Sequence, residues 1–406
     1  MEKQNYKMKK DNIKIKKKKI VLIFVGTYIP GYKAGGPIQS IKNLVECLNN
    51  DFEFKIITSD RDFGDDKTYN NIKRGIWNKV NKASVYYLPQ NEGSLGKLKK
   101  LLNLCSYDIL YLNSFFSPVF TIKPIILRRL GMIKKVPIII APRGEFSLGA
   151  LKIKKIKKYL YFEAARLFGL YNNIIWQVSS KCEEKDIRRL FGSKISVVIA
   201  PNLPSPLYKQ EKQLNRKNIK VAGSLKIIFL SRISKKKNLI GALSILKKLN
   251  GKVLFNIYGP LEDKDYWIKC TKIIKELPNN IRVQYIDAVK HEQVKTLMKE
   301  HDLFFLPTFG ENFGHVILEA LVAGCPVLIS DQTPWRGLEE KGIGWDLPLN
   351  CPEKFQDVLQ KCIDMNEQEY NILSKRAHQF GLKIIEDKTA LNLNCELFYG
   401  AFYGSN

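Results

Sequence analysis

The sequence predicts an α/β protein built as two Rossmann-like domains that face each other across a cleft. Short β-branched runs alternate with longer amphipathic stretches, once from IVLIFV to IIWQVSS and again from LKIIFLS to CPVLISD. The apolar runs are continuous, as parallel strands covered on both faces require, and helices between them suit a doubly wound sheet. A polar, proline-marked stretch near residues 201–223 separates the two series. A chain of 406 residues is too long for one ordinary core and suits two domains of ~150–200 residues each.

In order along the chain, residues 1–18 form a lysine-rich tail expected to be disordered, and residues 19–204 form the first domain. Its strands read IVLIFV, FKIITS, SVYYLP, DILYLNS, VPIIIAP and IIWQVSS. Residues 205–223 are the linker and residues 224–384 the second domain, with strands LKIIFLS, KVLFNIYGP, IRVQYID, DLFFLPT and CPVLISD. Helices are expected at residues 239–249, 265–276, 291–299 and 314–323. The end of the chain, about 385–406, reads as a helix that folds back onto the first domain.

Composition narrows the function. The 45% of hydrophobic residues supports two ordinary cores. The eight cysteines include no C-x-x-C pair, so they read as buried free thiols, not zinc ligands or a disulfide framework. That points to a reducing compartment. No apolar run reaches the ~18 residues of a spanning helix, and the expected location is the cytoplasm, peripheral at the inner face of the membrane. The net charge of +28 has two readings: compositional bias, seen also in abundant asparagine and isoleucine, or an anionic partner surface. No nucleic-acid module is recognisable, so a basic nucleic-acid-binding protein is the weakest alternative.

The richest segment is FLPTFGENFGHVILEALVAGCPVLISD. A strand runs into a glycine-bearing loop, and a helix starts at the strand's carboxyl end. The amides near Phe313, Gly314 and His315 can receive a diphosphate there, aided by the helix dipole. Glu311 lies in the loop. Glu319 lies within an apolar helical run, where a carboxylate is costly unless paired; it is either a salt-bridged residue or an acceptor for two ribose hydroxyls.

Glu311 through Glu319, set in F-G-E-N-F-G-x-x-x-x-E-A-x-x-x-G-x-P-V, resembles the E-x7-E pattern of family four of the retaining glycosyltransferases, which have the GT-B fold. The resemblance implies that Glu311 contacts the donor sugar and Glu319 the nucleotide ribose, with Asn312, Phe313, Gly314 and His315 around the diphosphate. FLSRISKKKNL resembles the family's G-R-x-x-x-x-K-G loop, with Arg232 and Lys237 as the cations that neutralise the leaving group. Ser231 and Asn238 stand where the family has glycines. The loop with Gly35 and Gly36 resembles the family's first glycine-rich loop, facing the donor. APRGEFSLGAL resembles a branch linked to surface-polysaccharide assembly, which puts Arg143, Gly144 and Glu145 on the acceptor side. Arg143 stands where relatives often have histidine, and Glu145 is either a base for the acceptor hydroxyl or an ion-pair partner of Arg143.

The resemblance implies a nucleotide-diphosphate-sugar donor, a glycan or lipid-linked glycan acceptor, and no metal or other cofactor. The first domain would then hold the acceptor and the second the donor. A sugar-nucleotide epimerase of the same architecture is the competing enzyme reading. His315 reads as a donor contact or a helix-start residue, and Trp335 as packing or a sugar platform. The stretch after Glu145 sets Leu151, Ile153, Ile156, Leu160 and Phe162 beside five lysines; it reads as a core helix with a lysine-rich outer face or as a helix lying on anionic lipid.

Overall fold

The computed structural model describes residues 18–147, 151, 155–210, 214 and 219–404; apart from Lys18, the expected basic tail lies outside these residues. The first domain carries strands β1 (Lys19–Phe24), β2 (Phe52–Ser59), β3 (Trp77–Val80), β4 (Ala83–Leu88), β5 (Ile109–Asn113), β6 (Ile138–Ala141), β7 (Ile175–Val178) and β8 (Ser196–Ile199). They lie in the order β3-β4-β2-β1-β5-β6-β7-β8. All pairings are parallel except that of β3 with β4, where Trp77 opposes Tyr86. Helices α1 (Gly36–Leu48), α2 (Leu95–Leu104), α3 (Lys123–Arg129), α4 (Lys155–Leu167) and α5 (Lys181–Phe191) connect them.

β1 shows why the run IVLIFV is uninterrupted. Successive side chains point to opposite faces of a sheet. Ile20, Leu22 and Phe24 enter one core layer, and Val21, Ile23 and Val25 enter the other. Both faces are covered, so no position can be polar.

The second domain is a six-stranded parallel sheet in the order β11-β10-β9-β12-β13-β14. Its strands are β9 (Ser224–Leu230), β10 (Lys252–Tyr258), β11 (Ile281–Ile286), β12 (Leu303–Leu306), β13 (Val327–Ser330) and β14 (Gly344–Leu347). Helices α6 (Leu239–Leu246), α7 (Lys264–Lys275), α8 (His291–Lys299), α9 (His315–Val322), α10 (Pro352–Asp364), α11 (Glu367–Glu386) and α12 (Thr389–Tyr403) follow in chain order. α9 is buried on nearly every side, and α11 packs so closely on it that a side chain at Gly381 would meet the Val322 backbone at 2.7 Å.

α12 returns to the first domain. Phe398 is fully buried there, 5.5 Å from the Phe52 ring and 5.4 Å from the Tyr111 ring. Asn394 donates to the Pro201 carbonyl at 2.8 Å. The two domains are thus tied by the chain end as well as by the linker. Among the described residues no helix is long and apolar enough to cross a membrane.

Candidate active site

In both sheets the first strand lies in the middle, and the chain builds outward on one side before returning to the other. Neighbouring loops diverge at that point and leave a crevice at the strands' carboxyl ends. In the second domain the crevice lies between β9 and β12, whose following loops carry the two motifs singled out above. The loops are bonded together. The Lys236 carbonyl accepts from the Phe309 amide at 2.8 Å and from the Thr308 hydroxyl at 3.1 Å, and Asn238 Nδ2 donates to the Pro307 carbonyl at 2.9 Å. Asn238 also explains the departure from glycine. It adopts φ 57°, a left-handed conformation that asparagine tolerates, and its side-chain oxygen accepts from the Gly241 amide at the start of α6.

α9 starts directly after the β12 loop. Gly314 caps it with φ 78°. Among the described residues the amides of Phe313, Gly314, His315 and Val316 have no hydrogen-bond acceptor. Those donors and the helix dipole favour an anion at this end. α1 brings a second helix N-terminus from the first domain. Gly35 caps it with φ 64°, and a side chain at Gly35 or Gly36 would meet nothing within 4 Å, so packing does not require either glycine. The two helices touch where Ser40 Oγ meets His315 Nε2 at 3.0 Å.

Between the domains lies one cavity of about 1000 Å³, lined by Gly35, Gly36, Arg143, Arg232, Lys237, Glu311, Asn312, Phe313, Gly314, His315 and Glu319. Residues nearly 300 positions apart in sequence therefore meet at one place. Lys237 is ion-paired with Glu311, and Arg232 with Glu262 at 3.2 Å. Lys236, the neighbour of Lys237, is a further cation on the same wall. Its stem runs 3.6 Å from where a Gly310 side chain would begin, and burial lowers its pKa while Glu311 raises it.

Glu319 is 7% exposed, and burial pushes its carboxyl up to about 8, with Lys42 acting the other way. Its nearest basic group, His291 Nδ1 at 3.6 Å, is itself pushed down to about 4 by burial, with Lys42 adding to the effect. The pair is therefore neutral near pH 7, and the separation is too long for a hydrogen bond. His315 is driven to about 3 by burial and then by Arg143, so it too stays neutral.

The first domain's contribution differs from expectation at two residues, Gly144 and Glu145. Arg143 lines the cavity with φ 56°; its guanidinium donates to Asn113 at 2.8 Å, to the Tyr111 hydroxyl at 2.7 Å and to Asn202. Glu145 is neither its ion-pair partner nor a cavity group. Its carboxylate accepts from Ser114 Oγ at 2.8 Å and from the Phe115 and Phe116 amides at 2.6 and 3.2 Å, which fixes the loop after β5. Gly144 does not line the cavity; its amide donates to Glu183 at 2.6 Å. Glu183 also accepts from the Ser179 amide at 2.8 Å, and the Ser179 hydroxyl donates to Asn312 Oδ1 at 2.7 Å across the cleft. Trp335 is 8% exposed, and its ring nitrogen donates to the Phe313 carbonyl, so it braces the loop. Among the described residues no cluster of ligands suited to a metal ion occurs.

Residues 210–380 match the family model for glycosyl transferases group 1. The match covers the second domain and both cation- and glutamate-bearing loops. The whole chain is similar in fold to Anabaena HepE in complex with UDP and glucose, with TM-score 0.64 and 15% identity over 96% of this chain and 100% of that one. Sucrose-phosphate synthase from Thermosynechococcus elongatus gives TM-score 0.65 and 16% identity over 96% and 100%. WaaG, a glycosyltransferase involved in lipopolysaccharide biosynthesis, gives 0.61 and 14% over 93% and 98%. The fold is that of the GT-B glycosyltransferases. In sequence, 238 residues are 27% identical to an uncharacterized 41.2 kDa protein in the cps region of Klebsiella pneumoniae, covering 57% of this chain and 62% of that one. Another 126-residue match is 32% identical to an uncharacterized glycosyltransferase of Methanocaldococcus jannaschii, covering 30% and 31%. The chain thus spans less than two thirds of the length of these curated relatives.

Proposed function

We propose that the protein is a retaining glycosyltransferase. It transfers a sugar from a nucleotide-diphosphate sugar to a hydroxyl of a glycan or lipid-linked glycan, at the cytoplasmic face, in the assembly of a surface polysaccharide. The convergence of Arg232, Lys237, Glu311, Glu319 and two helix N-termini on a single interdomain cavity carries this reading. The relative in a cps region and the similarity to WaaG support the polysaccharide setting.

In this reading the diphosphate lies between the free amides of α9 and the cations Arg232 and Lys237. Lys237 leaves Glu311 for the phosphate, and Glu311 is released to orient the donor sugar. Glu319 meets the ribose diol. The bond from the anomeric carbon to the diphosphate oxygen breaks, and its electron pair leaves with the diphosphate. The acceptor oxygen bonds the anomeric carbon from the same face, and its proton passes to the departing phosphate oxygen. The ring is transiently cationic, and stabilisation is electrostatic. Arg232, Lys236, Lys237 and the amides supply positive charge where other transferases use a metal, so activity is expected to survive a chelator.

The test is release of nucleoside diphosphate from a panel of UDP-, GDP- and dTDP-sugars with and without added acceptor, followed by NMR of the anomeric proton. Acceptor-dependent release with retained configuration supports the proposal. Release or isomerisation without acceptor, or an inverted product, overturns it.

A further inference from the structure

α4 presents its apolar residues on both sides, which a helix on a soluble domain has no reason to do. Its inner side is accounted for. Phe162 stacks on Phe115 at 5.4 Å and packs on Phe146 at 5.8 Å, Tyr161 meets Phe115 at 5.6 Å, and Ala165 is buried. This aromatic layer fixes the helix on the domain.

The outer side carries Ile156, Tyr159, Leu160 and Leu167, which are 77%, 62%, 62% and 81% exposed. Their spacing follows the three-to-four-residue repeat of one helix face. Phe168 continues the row at 71% exposure. The turn after α3 adds Leu130 at 60%, and Arg129 joins that turn to the far end of α4 by donating to the Leu170 carbonyl at 3.0 Å. An exposed apolar patch of this kind marks an interaction surface.

Charge selects the partner. Lys157 and Arg166 flank the row, Arg129 and Lys135 lie by the adjoining turn, and all are exposed. The one acid on α4, Glu163, is paired with Arg166 at 3.8 Å. A nucleic acid would take the cations and leave the leucines in water. A second copy would cover the leucines while bringing two chains of net charge +28 together. A bilayer with anionic headgroups satisfies both sets of groups at once.

We infer that the outer face of α4, with the turn after α3, docks the protein on an anionic lipid surface through Ile156, Tyr159, Leu160, Leu167 and Phe168. The inference stands apart from the sugar-transfer proposal, because it rests on no cavity residue.

The test is co-sedimentation of the full chain with vesicles of phosphatidylcholine alone and with about one-third phosphatidylglycerol. Binding to the anionic vesicles only, weakening as salt rises, is expected. The combined change Ile156→Ser, Leu160→Ser and Leu167→Ser should weaken it by at least about tenfold, with unchanged circular dichroism and nucleotide binding. Lys157→Ser alone should weaken it about fivefold at low salt. A Leu160→Trp variant should shift its emission to the blue on anionic vesicles, a readout that does not require loss of binding. Absence of wild-type binding, full binding by the triple variant, or a dimer that the triple variant abolishes would each overturn the inference.

Discussion

Replacing Glu319 by glutamine should remove two opposite pH dependences at once. Burial holds the carboxyl near 8 against an ordinary 4.5. Between those values the folded protein carries a proton that the unfolded chain has lost. The resulting stability is full below about 4.5 and is lost as pH rises through about 8. The gap bounds the effect at roughly 5 kcal/mol, and the slope within the window is about 1.4 kcal/mol per pH unit. For a domain of this size that is a fall in melting temperature of about 3 °C per pH unit. Nucleotide binding should run the other way. The ionised carboxylate is the better acceptor for two ribose hydroxyls, so affinity should rise about tenfold per unit from pH 6 until it levels near 8. The groups facing Glu319 are His291, Lys42 and Tyr208. His291 titrates near 4, and burial followed by Glu319 raises the tyrosine, so neither of these two changes charge within the window. Calorimetric titration with a nucleoside diphosphate and thermal melts across pH 5.5–8.5 (about that span), on wild type and Glu319→Gln, read both slopes. Identical slopes in the two proteins would refute the assignment.

Arg232→Ala and Lys237→Ala should each lower kcat by about 10²–10³, with little change in acceptor KM, because their charge meets the leaving group; steady-state assays on the active donor decide this. Glu311→Gln should reduce turnover while leaving diphosphate affinity equal or tighter, since Lys237 loses its resting partner; a parallel loss of affinity would move Glu311 to the binding role. Gly314→Ala forces a side chain into a left-handed position 2.7 Å from Ile317. It should cost about 1–3 kcal/mol and weaken diphosphate binding, read by melting and titration together. Phe398→Ala should destabilise the first domain by about 3–5 kcal/mol through the cavity left beside Phe52 and Tyr111, with no direct effect on the second.

Most strands were legible because they centre on apolar runs, whereas β8 (SVVI), beside the proline-marked stretch, and β14 (GWDL) were not. β3 was not either, because WNKV is an edge strand whose positions alternate between exposed and half-buried and carry no apolar repeat. α11 escaped for a related reason. Between Tyr370 and Ile385 its buried face is made of small and polar groups, Ser374, Ala377, His378 and Gly381, whose polar members bond to α9 and its following turn. The glutamates and cations of the second domain were legible because their loops follow strands at a switch point. The first domain's share was legible in part: Gly35, Gly36 and Arg143 line the cavity as expected, but what positions Arg143 was not foreseen. Arg143 is placed by Tyr111, Asn113 and Asn202, three residues with no spacing rule between them. Tyr111 is in turn bonded to Gln177, which bonds Asn394 of α12, so the chain end helps hold a cleft residue. Glu145, open in sequence between a base for the acceptor hydroxyl and a partner of Arg143, instead accepts from Ser114 and the amides of Phe115 and Phe116, contacts that no local spacing announces.

Sugar transfer in this mechanism depends on diphosphate recognition at the cleft. Titration of nucleoside diphosphates into wild type and the Arg232→Ala, Lys237→Ala double variant tests it directly. One nucleotide bound per chain, with affinity falling at least about a hundredfold in the double variant, is the predicted result. Equal affinity in the two proteins, or no binding of any nucleoside diphosphate to wild type, would contradict it.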